Sequence, residues 1–124
     1  MCIGHGDWET QNIRWTGRDP LVVHDWDSVI AQPEPAIVGL AAAMWSREGE
    51  SDPIASVAQT ADFITRYQRF ADREWGASEV RDAWAAGLWL GLIFAKQDAA
   101  EGGSQQLDRL ATEIDERLHR AALR

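Results

Sequence analysis

Residues 83–95 read A-W-A-A-G-L-W-L-G-L-I-F-A, the longest nearly unbroken apolar run of the 124-residue chain. A membrane-spanning helix takes about 20 apolar residues, so this run is too short to cross a bilayer. A helix that is apolar on all sides is buried, and the run therefore predicts the central helix of a helical core. Gly87 and Gly91 lie four residues apart in it and would let a neighbouring element approach closely.

The central helix is predicted to begin at a Ser78 cap and to end near Ala100, before the break at Gly102 and Gly103. Ser104 should then open a fourth, amphipathic helix. The side chains that this last helix turns inward recur at helical spacing: Leu107, Leu110, Ala111, Ile114 and Leu118.

Two helices are predicted before the central one. The first should begin after Pro33 and reach about Arg47, and residues 49–52 form a loop. The second should be capped by Asp52, carry Pro53 at its first position and end at Gly76, because Asp favours N-caps and Pro favours the first helical turn.

The first 32 residues have a different character. Residues 12–15 (N-I-R-W) and 21–24 (L-V-V-H) are short strand candidates, and residues 16–20 between them (T-G-R-D-P) have the composition of a turn. We therefore expect a mostly α fold with a short N-terminal β-hairpin (α+β) and about four helices. The chain divides into residues 1–32, which form the hairpin and its loops, and residues 33–124, a helical subdomain.

Charge and cysteine content exclude several classes of protein. The chain has 20 acidic and 12 basic residues, a net charge of −8, which excludes a binder of nucleic-acid backbones. No basic stretch leads into an apolar run at the N-terminus, so a signal peptide is not expected. Cys2 is the single cysteine. A reducing, cytoplasmic setting without nucleic-acid or membrane partners is therefore predicted.

The chemistry is concentrated in residues 5–12, which read H-G-D-W-E-T-Q-N. His5, Asp7 and Asn12 have the spacing H-x-D-x-x-x-x-N of a kinase catalytic loop. In such a loop the Asp faces the hydroxyl that attacks the γ-phosphoryl group, and the Asn faces a magnesium ion on the phosphates. The spacing therefore makes Asp7 and Asn12 candidates for these two roles.

A second group of carboxylates follows the second strand of the hairpin, in the sequence His24-Asp25-Trp26-Asp27. Magnesium prefers oxygen ligands, and Asn12 with Asp25 offers such a pair across one hairpin.

These two motifs resemble the aminoglycoside phosphotransferase family, small-molecule kinases with a protein-kinase-like fold. The family loop H-G-D-x-x-x-x-N is matched by His5-Gly6-Asp7 with Asn12, and residues 24–28 resemble its I-D-W motif. Residues 33–36 (P-E-P-A) resemble the D-P segment that leads into a helix. The direct match covers about 35 residues.

The resemblance implies a role for each of these residues. Asp7 would be the catalytic base, Asn12 and Asp25 the magnesium ligands, His5 a brace for the loop, and Asp27 a supporting carboxylate. Mg²⁺ with ATP would be the cofactor, and the γ-phosphoryl group would pass to a hydroxyl of a small molecule such as an aminoglycoside-like compound.

The chain also departs from the family pattern. Residues 37–39 (I-V-G) lack the acid with which many members brace the loop, and Lys96 is the single lysine. The N-terminal nucleotide-binding lobe, with its Gly-rich loop and its clamping lysine, is missing. The resemblance therefore implies a partial C-terminal lobe of the kinase-like fold, truncated and inactive alone.

Other interpretations of the same residues stay open. Asp7 and Asn12 could cap loop turns, and Asp25 with Asp27 could form a solvated acidic turn. His5 and His24 could join Asp7 and Asp25 in a transition-metal site. The alternatives to a phosphotransferase are thus a non-catalytic helical association module and a metal-dependent hydrolase.

A homodimer is also predicted. The first 45 residues carry more large apolar side chains than four helices can cover from one side: Ile3, Trp8, Ile13, Trp15, Val22, Trp26, Ile37, Leu40 and Trp45.

Overall fold

The computed structural model describes residues 1–49 and 52–124. Within these ranges four strands come first: β1 (Cys2–His5), β2 (Ile13–Thr16), β3 (Asp19–Val23) and β4 (Val29–Gln32). Four helices follow: α1 (Glu34–Met44), α2 (Val57–Phe70), α3 (Ala77–Ala100) and α4 (Gln105–Arg120). The predicted fold class, mostly helical with an N-terminal hairpin, is confirmed. The change from strand to helix falls at Pro33, where the sequence pattern changes.

The strands form two antiparallel pairs. The predicted hairpin is β2 with β3, in which Ile13 lies opposite Val23. The second pair joins β1 to β4, with His5 opposite Val29, and it was not expected. Both of its strands have only four residues, and they are separated by the whole hairpin. The β1–β4 pair therefore brings the two ends of residues 1–32 together, and the hairpin lies between its strands in the sequence.

Helix α3 is the centre of the helical part, packing against α1 on one side and α4 on the other. Buried apolar side chains form two clusters along it. One cluster lies near its N-terminal half and contains Val38, Ala42, Ile64, Trp75, Ala83, Trp84 and Ala121. The other lies near its C-terminal half and contains Ile54, Leu88, Ala95 and Leu110.

The α1–α3 contact brings backbone against backbone. A Cβ at Gly39 would overlap the Ala83 carbonyl, and a Cβ at Gly87 would lie 3.0 Å from the Gly39 carbonyl oxygen. Further along α3, a Cβ at Gly91 would lie 2.6 Å from the Ile54 side chain. The prediction that Gly87 and Gly91 admit close neighbours is therefore confirmed.

The expectation that α3 is buried on all sides was wrong. Trp89 is 60% exposed and Leu92 is 51% exposed, on the side of α3 that neither α1 nor α4 covers. Among the described residues, no helix combines the length and the apolarity that crossing a membrane requires.

The start of α2 also differs from the prediction. The helix begins after Ser56, whose hydroxyl accepts from the Gln59 amide in a capping box, and not at Asp52. Residues 52–55 are not helical because their backbone is bound elsewhere: the Ile54 amide donates to Gln106 Oε1 (3.1 Å) and the Ala55 amide to the Ala43 carbonyl (2.9 Å). Of the predicted loop 49–52, residues 50 and 51 lie outside the described residues.

Three other helix ends differ by a few residues. α1 ends at Met44 and not at Arg47, α2 ends at Phe70 and not at Gly76, and the cap of α3 is Gly76 and not Ser78. Ser104 occupies the cap position of α4, as predicted.

Candidate functional site

The loop from His5 to Asn12 is closed by its two predicted functional residues. Asn12 Nδ2 donates to the Asp7 carbonyl (2.9 Å) and to Asp7 Oδ2 (3.0 Å). A 3₁₀ turn over Thr10–Asn12 brings them together, with the Asn12 amide donating to the Glu9 carbonyl (3.1 Å). Because the amide nitrogen faces Asp7, Asn12 Oδ1 points away as an oxygen acceptor.

His5 is buried at the end of β1 with both ring nitrogens engaged. Nε2 lies 2.8 Å from the His24 carbonyl oxygen, and Nδ1 lies 3.2 Å from the Asp7 amide nitrogen. Since an amide can only donate, Nδ1 accepts and Nε2 carries the proton. His5 thereby links the loop of residues 5–12 to the end of the hairpin.

Gly6 lies where the backbone passes very close to Ser28, the residue before β4. Its amide donates to the Ser28 carbonyl (2.8 Å), and a Cβ would lie 2.7 Å from the same oxygen. A side chain would push these segments apart, so steric hindrance explains why a glycine lies between His5 and Asp7.

Asp25 lies beside the loop because the hairpin returns the chain there. The amide of its neighbour His24 donates to the Asn12 carbonyl (2.8 Å). Asp25 has left-handed backbone angles, φ 63° and ψ 46°, and it precedes a 3₁₀ turn over Trp26–Ser28. The turn is held by the Ser28 amide, which donates to the Asp25 carbonyl (3.1 Å).

Like charge is concentrated around Asp25. A hydrogen bond to Asp27 and the negative charge of Asp27 raise the pKa of the exposed Asp25 carboxyl, and slight desolvation and the charge of Asp7 add to this. Asp27 and Asp7 therefore both act on the Asp25 carboxyl.

Asn12 and Asp25 fit a hard cation that takes its remaining ligands from elsewhere. Asn12 Oδ1 and the Asp25 carboxylate are oxygen donors, as Mg²⁺ prefers, and Mg²⁺ commonly takes its remaining ligands from water and phosphate. No cluster of three or more His, Cys, Asp or Glu side chains suited to a metal ion occurs in residues 1–49 and 52–124. Because both nitrogens of His5 are already bound, a transition-metal site at His5 and His24 does not fit.

A cavity of about 580 Å³ opens next to Asp7. It lies between the catalytic loop, the C-terminal half of α3 and the start of α4. Four carboxylates face it, from Asp7, Glu9, Asp98 and Glu101. The rest of the lining comes from Gln11, Arg47, Phe94, Gln97 and Gln106. Asp7 therefore borders a space large enough for a small molecule and acidic enough to attract a cationic one.

The structure adds a residue pair that the sequence did not reveal. Glu9 lies inside the catalytic loop, and its Oε1 accepts from Arg47 NH1 at 2.6 Å, with both side chains only 5% exposed. Burial raises the pKa of the Glu9 carboxyl, and the charge of Arg47 opposes that rise. The sequence shows only a second acid in the loop, and its partner lies 38 residues away.

The geometry thus joins Asp7 to Asn12, places Asp25 across the hairpin from Asn12, and sets Asp27 beside Asp25. Comparison with protein-family models, with curated proteins and with solved structures found no match for this chain.

Proposed function

We propose that this chain carries the phosphoryl-transfer half of a small-molecule O-phosphotransferase. The observation that supports it most is the Asp7–Asn12 hydrogen bond in a loop with kinase spacing, with Asp7 on the wall of the acidic cavity. The resemblance to the aminoglycoside phosphotransferase family rests on the same residues. A cytoplasmic location, where ATP is abundant, belongs to this proposal.

In the proposed reaction Asp7 acts on the acceptor. A substrate hydroxyl in the cavity donates its hydrogen bond to the Asp7 carboxylate, and its oxygen attacks the γ-phosphorus of ATP. The new O–P bond forms as the bond from the γ-phosphorus to the β,γ-bridging oxygen breaks, and ADP leaves with that electron pair. The hydroxyl proton passes to Asp7. Mg²⁺, held by Asn12 and Asp25, would neutralise charge on the phosphates.

The acceptor we propose is a cationic compound that carries hydroxyls, such as an aminoglycoside-like molecule. The carboxylates of Asp98 and Glu101 would bind its ammonium groups, while Asp7 orients one hydroxyl.

ATP turnover by this chain alone is not expected. Phosphoryl transfer depends on cationic groups that clamp the phosphates, and groups of this kind contribute about 10³-fold or more. The single lysine, Lys96, is exposed on α3, and no Gly-rich phosphate loop occurs in the sequence. A coupled ADP-release assay should therefore give background rates. Steady turnover that Asp7→Asn abolishes would contradict this expectation.

The proposed site can be tested without turnover. Mn²⁺ in place of Mg²⁺ broadens NMR signals near the metal. We expect broadening of Asn12 and Asp25 that requires ATP, disappears in Asp25→Asn and persists in Asp7→Asn. Asp19→Asn is the matched control, since Asp19 lies at the far end of the same hairpin. Absence of ATP-dependent broadening at both residues would reject the phosphotransferase site.

The association module is the second candidate, because several large apolar side chains of the hairpin region are exposed. The metal-dependent hydrolase is disfavoured by the engagement of both His5 nitrogens.

A further inference from the structure

The catalytic loop is attached to the helical subdomain at a buried point. Beyond the Glu9–Arg47 ion pair, the hydroxyl of Thr10 donates to the Arg47 carbonyl oxygen (2.5 Å). Two consecutive loop residues therefore bind the side chain and the backbone of one residue that follows α1. The second carboxylate oxygen of Glu9 accepts from Gln11, so the pair also reaches the next turn of the loop.

Arg47 is itself held from two other directions. Its Nε donates to the Asp52 carbonyl (3.0 Å), and its guanidinium lies 4.2 Å from the centre of the Phe94 ring on α3. The guanidinium thus connects the loop to the segment before α2 and to α3, and all three line or adjoin the acidic cavity. A lysine has no planar fork and could not make these contacts together.

A buried ion pair is weak evidence for overall stability, because desolvation offsets most of the attraction between the charges. Its geometry is nevertheless well defined, and here that geometry fixes the position of Glu9. The Glu9 amide donates to the Asp7 carbonyl (3.1 Å), and the Glu9 carbonyl accepts from the Asn12 amide (3.1 Å). Glu9 therefore sits between the two residues on which the proposed chemistry depends.

We propose that Glu9 and Arg47 are positioning residues that hold Asp7 and Asn12 in their productive arrangement at the acidic cavity. The pair touches neither reacting group, and it acts through the backbone of the loop. This inference rests on the proposed function, which gives Asp7 and Asn12 their roles.

The test is an NMR measurement on the whole chain without nucleotide. In Arg47→Met we expect the amides of Glu9 and Asn12 to exchange hydrogen about tenfold faster, the factor that corresponds to the loss of about one hydrogen bond. The Asn12 side-chain amide signal should move towards the value of a free side chain. Glu9→Gln keeps the size and one acceptor oxygen, so it should fold and show a smaller change in the same direction. Arg47→Lys should recover only part of the protection.

Arg117→Met is the matched control. Arg117 is also a buried arginine, 1% exposed, paired with Glu113 and donating to the Ala55 carbonyl (2.6 Å), away from the loop. It should lower stability without a selective change at Glu9 and Asn12. Equal loop exchange in Arg47→Met and the wild type, or equal loop opening in Arg117→Met, would overturn the positioning role. Failure of the proposed function would appear separately, as absent ATP-dependent Mn²⁺ broadening with the loop result intact.

Discussion

Asp25 has two unusual properties, a raised pKa and a left-handed backbone conformation. A hydrogen bond to Asp27 and the negative charge of Asp27 raise the pKa of the Asp25 carboxyl, and its backbone is left-handed.

Asp27→Asn should lower the pKa of Asp25. The change removes the two largest causes of the rise, the hydrogen bond to the Asp27 carboxyl and the Asp27 charge, and an amide can donate to the ionised Asp25. Below its pKa Asp25 is neutral, so in the variant it should stay ionised down to a lower pH than in the wild type. Carboxyl ¹³C shifts recorded against pH measure this, with Asp19→Asn as the control. An unchanged Asp25 titration in Asp27→Asn would show that Asp27 does not raise this pKa.

Residue spacing indicated that Asp7 and Asn12 belong to one loop, and it gave no sign of the Glu9–Arg47 pair. Asp7 and Asn12 are five residues apart, and a loop of that length can close only in a few ways, so the pattern could indicate their contact. The Glu9–Arg47 pair depends on where α1 ends and how α3 packs, and neither follows from local sequence.

At the scale of elements, the α1–α3 crossing depends on glycine. Gly39→Ala would place a methyl group against the Ala83 carbonyl, and the two helices would have to separate. We expect a loss of about 1–3 kcal/mol in the free energy of unfolding, as for other overpacked cores.

Thermal and denaturant unfolding measure this loss. Gly49→Ala is the control, because a Cβ there would meet nothing within 4 Å and should change stability by less than about 0.5 kcal/mol. Equal stability of the two alanine variants would show that the helices are not in backbone contact.

Sequence patterns predicted a helix start well where the sequence offers a single candidate for the N-cap. Ser104 is the one cap candidate before α4, whereas α2 has two in succession, Asp52-Pro53 and Ser56 with Gln59. Tertiary hydrogen bonds at Ile54 and Ala55 decide between them. The β1–β4 pair was missed because the whole hairpin separates its two short strands, so no turn between them marks the pairing.

At the scale of the whole molecule, apolar side chains remain uncovered around the strands. Within the described residues the exposed ones include Ile3, Trp15, Leu21, Val22, Trp26 and Val29. An apolar cavity of about 430 Å³ adjoins them, between β1, α1 and α2. Such a surface favours association of two copies through the same face.

Light scattering at micromolar concentration should show a dimer, which Trp15→Asp dissociates or renders insoluble. Trp15 is 53% exposed on the hairpin, and a charge there would be buried in the dimer. Phe70→Ser is the control, because Phe70 is 84% exposed at the far end of α2 and should not affect association. A soluble monomer for the wild type would contradict the prediction.

The left-handed backbone of Asp25 costs stability at a position whose carboxylate belongs to the proposed metal site. Among the described residues, two other non-glycine residues, Asp72 and Ala122, have positive φ, and each follows a helix whose last turn explains it. Asp25 follows no helix, and glycine would adopt its conformation without strain. Asp25→Gly should therefore be more stable than Asp25→Ala by about 1 kcal/mol in unfolding measurements. In directed evolution, libraries selected for heat resistance alone should accumulate glycine at this position, whereas libraries selected for binding of Mn²⁺ with ATP should keep the aspartate.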